Sequence, residues 1–202
     1  VTFSSPVNIS ITGTNADHLA SGDLNNDGKT DIVAVSGYSF GTNDYKIFVF
    51  PQTTGGALST TPTLYSYRPV YPGARAIATG DVNGDNLCDV VIGIGDSIGV
   101  FTQNIFGTLN AQANYSCNPG TNVDAIRIAD VDQDGKKDIV TVSWFGQVQV
   151  FYTNGSGSMT KVAYSSAIGA GYDDIEVAKL MGDSLVSIVQ MGGQTWAPIK
   201  QI

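Results

Sequence analysis

Oxygen-bearing side chains recur at alternate positions of a nine-residue segment that the chain contains three times. In each copy, side-chain oxygens stand at positions one, three, five and nine. Alternating Asp and Asn can surround one point with hard oxygen donors, the coordination that Ca²⁺ prefers, and the backbone carbonyl at position seven adds a fifth ligand. The predicted ligands are Asp23, Asn25, Asp27, Lys29 and Asp31 in loop 1, Asp81, Asn83, Asp85, Leu87 and Asp89 in loop 2, and Asp130, Asp132, Asp134, Lys136 and Asp138 in loop 3.

Position six of each loop carries a residue that tolerates a sharp turn with positive φ. Gly28 and Gly135 stand there in loops 1 and 3, and Asn86 takes the place in loop 2. A single cluster of this kind is also typical of a solvated turn, but three copies with one spacing favour metal binding. We expect three structural Ca²⁺ ions, bound most tightly by loop 3 because it carries four carboxylates rather than three.

The elements that must position these loops are short strands. An apolar strand leads into each loop, a β-branched strand follows it, a third strand follows a turn, and an outer fourth strand ends the unit. The units cover residues 17–67, 75–116, 124–165 and 173–202. A period near fifty residues with several short strands per unit indicates a β-propeller or a similar array.

The fourth unit has lost most of its loop. Lys179 and Met181 replace two oxygen donors, Asp183 keeps its place, and Ser187 stands at position nine. The ammonium group of Lys179 can substitute for a cation by pairing with Asp183, so we predict no Ca²⁺ here.

The predicted fold is all-β: a single domain over residues 1–202, a β-propeller with four blades of four antiparallel strands. The last unit ends after its third strand, and residues 1–11 form a spare strand at the start of the chain. We expect this strand to complete the last blade and close the ring, which removes open sheet edges. The alternative is half of a larger propeller.

Composition excludes several function classes. The net charge is −8 and the three loops hold ten acidic residues, so the acidity is ligand charge. The chain has no basic stripe for nucleic acid and no apolar run long enough to span a membrane. It begins at Val1 without an initiator Met or a signal peptide, which favours a processed, exported chain. Asn8, Asn114 and Asn154 match the N-glycosylation pattern, which is short enough to arise by chance.

Few residues suit covalent catalysis. His18 is the only histidine, and its position indicates the start of an inner strand near the channel mouth; the alternative is a binding or catalytic group. Cys88 and Cys117 fall at opposite ends of their strands, so we predict that they are not bonded to each other. We expect the protein not to be an enzyme.

The segment from Gly22 to Val33, Gly-Asp-Leu-Asn-x-Asp-Gly-x-x-Asp-Ile-Val, resembles the FG-GAP and VCBS repeats, including those of integrin α-subunit propellers. The resemblance covers essentially the whole chain. It implies a β-propeller with structural Ca²⁺ and a role in extracellular adhesion, ligand binding or assembly. The departures are the number of repeats, since these families usually close with seven or eight blades, and the decayed fourth loop.

Two classes of function follow. The first is a non-catalytic module outside the cell or on its surface, whose partner is an extracellular protein, a glycan or copies of itself. The alternative is a carbohydrate-binding, lectin-like module or an accessory domain of an exported enzyme.

Overall fold

The computed structural model describes residues 8–37, 41, 44–71, 73–118, 122–164, 174–179, 186–192 and 195–201. Fifteen strands lie within these residues. They are β1 Ala16–Gly22, β2 Asp31–Ser36, β3 Lys46–Phe50, β4 Thr63–Ser66, β5 Ala74–Gly80, β6 Asp89–Ile94, β7 Ser97–Phe101, β8 Ala113–Ser116, β9 Val123–Ala129, β10 Asp138–Ser143, β11 Val148–Thr153, β12 Met159–Tyr164, β13 Asp174–Ala178, β14 Ser187–Gly192 and β15 Thr195–Gln201.

The strands form four antiparallel sheets in which sequence neighbours pair. Sheet 1 is β1–β4, sheet 2 is β5–β8, sheet 3 is β9–β12, and sheet 4 is β13–β15. Each calcium-type loop joins the first two strands of its sheet; in sheet 1 the pairing runs from Gly22 with Asp31 to Ala16 with Ser36. The predicted all-β class and strand order are confirmed, because β-branched runs bounded by Asp/Gly turns leave little freedom for another assignment.

Adjacent sheets pack face to face through aliphatic side chains. The second and third strands are almost fully buried in sheets 1–3, and each inter-sheet core joins one face of a sheet to the opposite face of the next. Between sheets 2 and 3, for example, Val91 and Val100 pack with Ile126, Ile139 and Phe151. We call the face that meets the next sheet in the chain the forward face, and the other the rear face.

The rear face of sheet 1 has no described sheet against it. The innermost strands contact one another in the order β1, β5, β9, β13, and no comparable contact joins β13 to β1 among the described strands. Ala34, Phe48 and Phe50 of this face form a small cluster of their own, with Ile9 and Ile11 packed against it. Leu19 of the same face is 67 % exposed.

The predicted closing strand is only partly within the described residues. Residues 1–7 and 202 lie outside them, whereas residues 8–11 form no strand and lie against sheet 1 rather than in sheet 4. Sheet 4 therefore has three described strands instead of four. Closure of the ring and the number of blades stay predictions. No helix long and apolar enough to cross a membrane occurs in the described ranges.

Candidate functional site: the Asp-rich loops

The three loops share one backbone conformation. Position six has positive φ in every copy, with values of 79° at Gly28, 65° at Asn86 and 88° at Gly135, as predicted. Position four has the same conformation, at 58° for Asn26, 81° for Gly84 and 63° for Gln133. The sequence analysis missed this second left-handed residue, although Asn and Gly at position four of loops 1 and 2 are the residues that tolerate it best.

The position-nine carboxylates fasten each loop to its own sheet. Asp31, Asp89 and Asp138 are completely buried. In loop 2, one oxygen of Asp89 accepts a hydrogen bond from the amide of Val82 at 2.9 Å, and the other accepts one from the amide of Gln103 at 2.8 Å. Asp31 and Asp138 repeat this pair of bonds. The first partner is the amide at position two of the loop, and the second is Gln52, two residues after β3, or Thr153, at the end of β11. Each of these carboxylates therefore has a structural role in addition to any metal ligation.

In loop 1, the other predicted ligands face backbone amides. Asp23 accepts from the amides of Asp27 and Gly28 at 3.0 and 2.8 Å, and Asn25 accepts from Asp27 at 3.0 Å. Asp27 pairs with the ammonium group of Lys29 at 2.7 Å, a bond that lowers the pKa of Asp27. Loop 2 is similar, except that Leu87 replaces the lysine and Asp85 accepts from the side chain of Asn83 at 2.9 Å.

Loop 3 fits a cation best. Oxygens of Asp130, Asp132 and Asp138 lie within 4.8 Å of one another. Oδ1 of Asp130 is buried and has no hydrogen-bond partner, so it is an orphaned acceptor within this group. Asp134, at position five, pairs instead with Lys136 at 3.0 Å. The donor set consists of hard oxygens, which suits Ca²⁺ or another hard divalent cation.

Burial makes the carboxyls of Asp89 and Asp138 costly to ionise. It raises the pKa of Asp89 to about 6 and also raises that of Asp138, while hydrogen bonds from the backbone amides act in the opposite direction. A nearby divalent cation favours the ionised form. The electrostatics of these loops therefore suit a bound cation.

Each of the first two loops lies against a turn from the next sheet. A side chain at Gly107, in the β7–β8 turn, would meet the carbonyl oxygen of Asn25 at 2.2 Å. One at Gly84, in loop 2, would meet the backbone of Gly155, in the β11–β12 turn, at 2.8 Å. These contacts fix the loops between sheets. A cavity of about 500 Å³ lies between loops 2 and 3, and its polar lining includes Asp81, Asn86, Lys136 and Asn154.

The remaining predicted groups have different surroundings. Residues 180–185 lie outside the described part of the chain, so the predicted loss of the fourth site stays a prediction. Cys88 and Cys117 are free thiols, as predicted. His18 lies in β1, as expected for the start of an inner strand, and partial burial lowers its pKa. Asn8, Asn114 and Asn154 are exposed.

Comparison of the sequence with protein families finds one that matches repeatedly. The FG-GAP-like repeat matches three overlapping segments, residues 23–92, 81–141 and 130–189. Each segment begins at the first Asp of a loop and runs into the next unit. No curated protein sequence matches the chain significantly.

Several solved structures share the fold. An Agrocybe aegerita lectin that recognises non-reducing terminal N-acetylglucosamine is 18 % identical with a TM-score of 0.58, and the match covers 90 % of this chain and 50 % of the lectin. BBS1N in complex with ARL6DN is 13 % identical with a TM-score of 0.60, over 94 % of this chain and 56 % of that one. The present chain therefore spans about half the length of these relatives, and the likeness concerns the fold alone.

Proposed function

Because the chain belongs to the FG-GAP-like repeat family, we propose that it is a non-catalytic β-propeller module that calcium stabilises and that binds a ligand outside the cell or on its surface. The ligand is an extracellular protein, a glycan or a further copy of the chain. Ca²⁺ is held by the three loops and has a structural role. Millimolar Ca²⁺ outside cells suits sites of this type.

One observation carries this proposal: the arrangement of loop 3. Three carboxylates converge there, and one buried oxygen of Asp130 lacks a partner. The cation would neutralise these charges and hold β9 and β10 in register at their junction. Loops 1 and 2 share its backbone conformation and its position-nine bonds, which supports the same role for them.

The test is a calcium titration of the full chain by native mass spectrometry, with thermal unfolding in Ca²⁺ and in excess EGTA. We expect three ions and a melting temperature that falls in EGTA. A ligand at a hundredfold excess over its dissociation constant stabilises the native state by about 2.7 kcal/mol.

The variant Asp132→Ala separates metal binding from folding. Asp132 is exposed, so the variant should bind two ions and lose stability in Ca²⁺, but match the wild type in EGTA. Lys137→Gln, a change in the same loop at an exposed side chain that is not a ligand, is the control and should bind three ions. An identical melting curve with and without EGTA would refute the calcium role.

A second candidate is a carbohydrate-binding module. The Agrocybe aegerita lectin, which shares the fold, recognises N-acetylglucosamine. The present chain offers polar cavities of suitable size on its described surface. A sugar-dependent shift in melting temperature at constant Ca²⁺ tests this candidate independently of the metal.

A further inference from the structure

A polar cavity lies where the innermost strands begin, at the end of the sheets away from the Asp-rich loops. Its volume is about 310 Å³, and its lining includes His18 of β1, Arg75 of β5, Asp124 and Arg127 of β9, and Asp174 of β13. All four sheets therefore contribute to one site. We call it the axial cavity.

Asp124 is the unusual group of the axial cavity. Its side chain is only 7 % exposed, and Oδ1 accepts a hydrogen bond from Nε of Arg75 at 2.5 Å. Oδ2 is buried and has no hydrogen-bond partner among the described residues. An unsatisfied buried carboxylate oxygen is costly, and native structures that keep one usually provide it with a water molecule, an ion or a ligand.

The two guanidinium groups that line the axial cavity are held in defined positions. Arg75 lies over the ring of Trp144 at 5.9 Å from its centroid. Arg127 is held by Asp174 at 3.0 Å, by Glu176 at 3.3 Å and by the carbonyl of Ile126 at 3.0 Å. The cavity thus has a fixed acceptor in Asp124 next to fixed donors.

Charge excludes two classes of ligand. Arg75 and Arg127 face three carboxylates, those of Asp124, Asp174 and Glu176, so the site has no positive excess to attract an anion. The same two guanidinium groups repel a metal cation that would approach Asp124. A neutral molecule whose groups both donate and accept hydrogen bonds can pair with the carboxylate of Asp124 and with the guanidinium groups. A hydroxyl is such a group.

We propose that the axial cavity binds a neutral polyhydroxylated molecule of the size of a hexopyranose sugar. One ligand hydroxyl donates to Oδ2 of Asp124, and a hydroxyl oxygen accepts from Arg75. This inference deepens the proposed function by naming a ligand class, and it rests on that function only in treating the chain as a binding module.

The test is a titration of the full, calcium-loaded chain with glucose, galactose, mannose and N-acetylglucosamine, followed by amide chemical shifts. We expect at least one sugar to bind saturably in the millimolar range, with the largest shifts at residues around 18, 75, 124 and 127. Inorganic phosphate should cause no such shifts. Binding that maps instead to the cavity between loops 2 and 3, or to no site, would overturn the proposal.

Asp124→Asn is the decisive variant, because its amide nitrogen or oxygen can satisfy only part of the hydroxyl arrangement. We expect it to weaken sugar binding at least tenfold. Asp17→Asn is the matched control, since Asp17 holds the same place in β1 but is exposed and already accepts from the amide of Gly37 at 2.8 Å.

An unchanged affinity in Asp124→Asn would overturn the proposal. If this variant does not fold, the chemical-shift changes in the wild-type protein still show whether the sugar binds in the axial cavity. Calcium is counted separately by mass spectrometry, so failure of sugar binding with three ions bound contradicts only this inference. Failure of calcium binding contradicts only the metal role.

Discussion

Asp31, Asp89 and Asp138 each join two backbone segments that are distant in sequence. Each buried carboxylate accepts one hydrogen bond from a loop amide. It accepts a second from an amide at the end of the third strand or two residues after it. From the sequence alone, the acidic residues of each loop are expected to be equivalent ligands. Here the position-nine residue is distinguished by complete burial, whereas position five is exposed in all three loops.

This difference predicts unequal effects of the same substitution within loop 2. Asp89→Asn retains one oxygen acceptor but places an amide donor against a second donor, so we expect a loss of about 1–3 kcal/mol in unfolding free energy even in EGTA. Asp85→Asn, on the exposed side of the loop, should change the stability in EGTA by less than about 0.5 kcal/mol. Urea unfolding of both variants measures this, and equal losses would show that position nine acts only through the metal.

The buried thiol of Cys117 should react slowly with alkylating reagents. Burial raises the pKa of its thiol to about 12, so little thiolate exists near pH 8. In a Cys88→Ala background, the native protein should be alkylated roughly a hundredfold or more slowly than free cysteine, because the thiolate is the reactive form. In urea the rates should become equal. Rapid alkylation of the native protein would show that the surrounding core opens.

The ligand positions and the turn at position six were readable from the sequence because three copies repeat the same residue types. The hydrogen bond that each position-nine carboxylate accepts from the amide near the end of the third strand could not be predicted in this way. Gln103 lies 14 residues after Asp89, and its approach depends on the register of β6 and β7. The burial of Asp124 was also unreadable, since its surroundings come from several different strands.

The contacts between neighbouring sheets depend on small residues at the ends of the innermost strands. Gly22 ends β1, and a methyl group placed on it would meet the sulfur of Cys88 at 2.4 Å. Gly80 holds the same place in β5, where a methyl group would meet Ile128 at 2.8 Å. Gly22 does not have a positive φ, so its backbone conformation does not require glycine. Glycine is needed because a larger residue would collide with Cys88.

Gly22→Ala should therefore destabilise the protein by about 1–3 kcal/mol through overpacking. In a Cys88→Ala background most of that cost should disappear, because the atom in conflict is gone. A double-mutant cycle by urea unfolding measures the coupling between the two sites. The same cost in both backgrounds would mean that the conflict lies elsewhere in the sheet.

The strands themselves were predictable, since β-branched runs and Asp/Gly turns alternate along the chain. The contact between each loop and the turn of the next sheet was not. It joins Asn25 to Gly107 and Gly84 to Gly155, pairs that only the packing of whole sheets brings together. Local sequence patterns predict the strands and turns of each sheet, but they do not predict which residues meet where two sheets pack together.

For the whole molecule, the rear face of sheet 1 differs from its counterparts in the other sheets. Ile126, four residues before the first Asp of loop 3, is 1 % exposed and packs against sheet 2. Leu19, four residues before the first Asp of loop 1, is 67 % exposed. The repeat sequence predicts equivalent roles for these two residues. Their burial differs because a neighbouring sheet covers Ile126, whereas no described sheet covers Leu19.

Truncating this equivalent pair tests whether the face is open in solution. Leu19→Ala should cost less than about 0.5 kcal/mol, whereas Ile126→Ala should cost about 2–4 kcal/mol because it leaves a cavity in a packed core. Thermal or urea unfolding at two protein concentrations gives both values. A large cost for Leu19→Ala would show that the rear face of sheet 1 is covered, and dependence on concentration would identify a second copy as the cover.

The two unlike faces of each sheet give the molecule a direction. In the three junctions that the described residues form, a forward face meets a rear face, so all three use the same kind of contact. A unit duplicated within such a gene would find a suitable neighbour on each side without any change of sequence. The chain departs from its own repeat beside sheets 1 and 4: Ile9 and Ile11 pack on the rear face of sheet 1, and the fourth unit lacks the acidic loop. The number of units is therefore easy to change by duplication, because each added junction reuses a contact that the fold already contains.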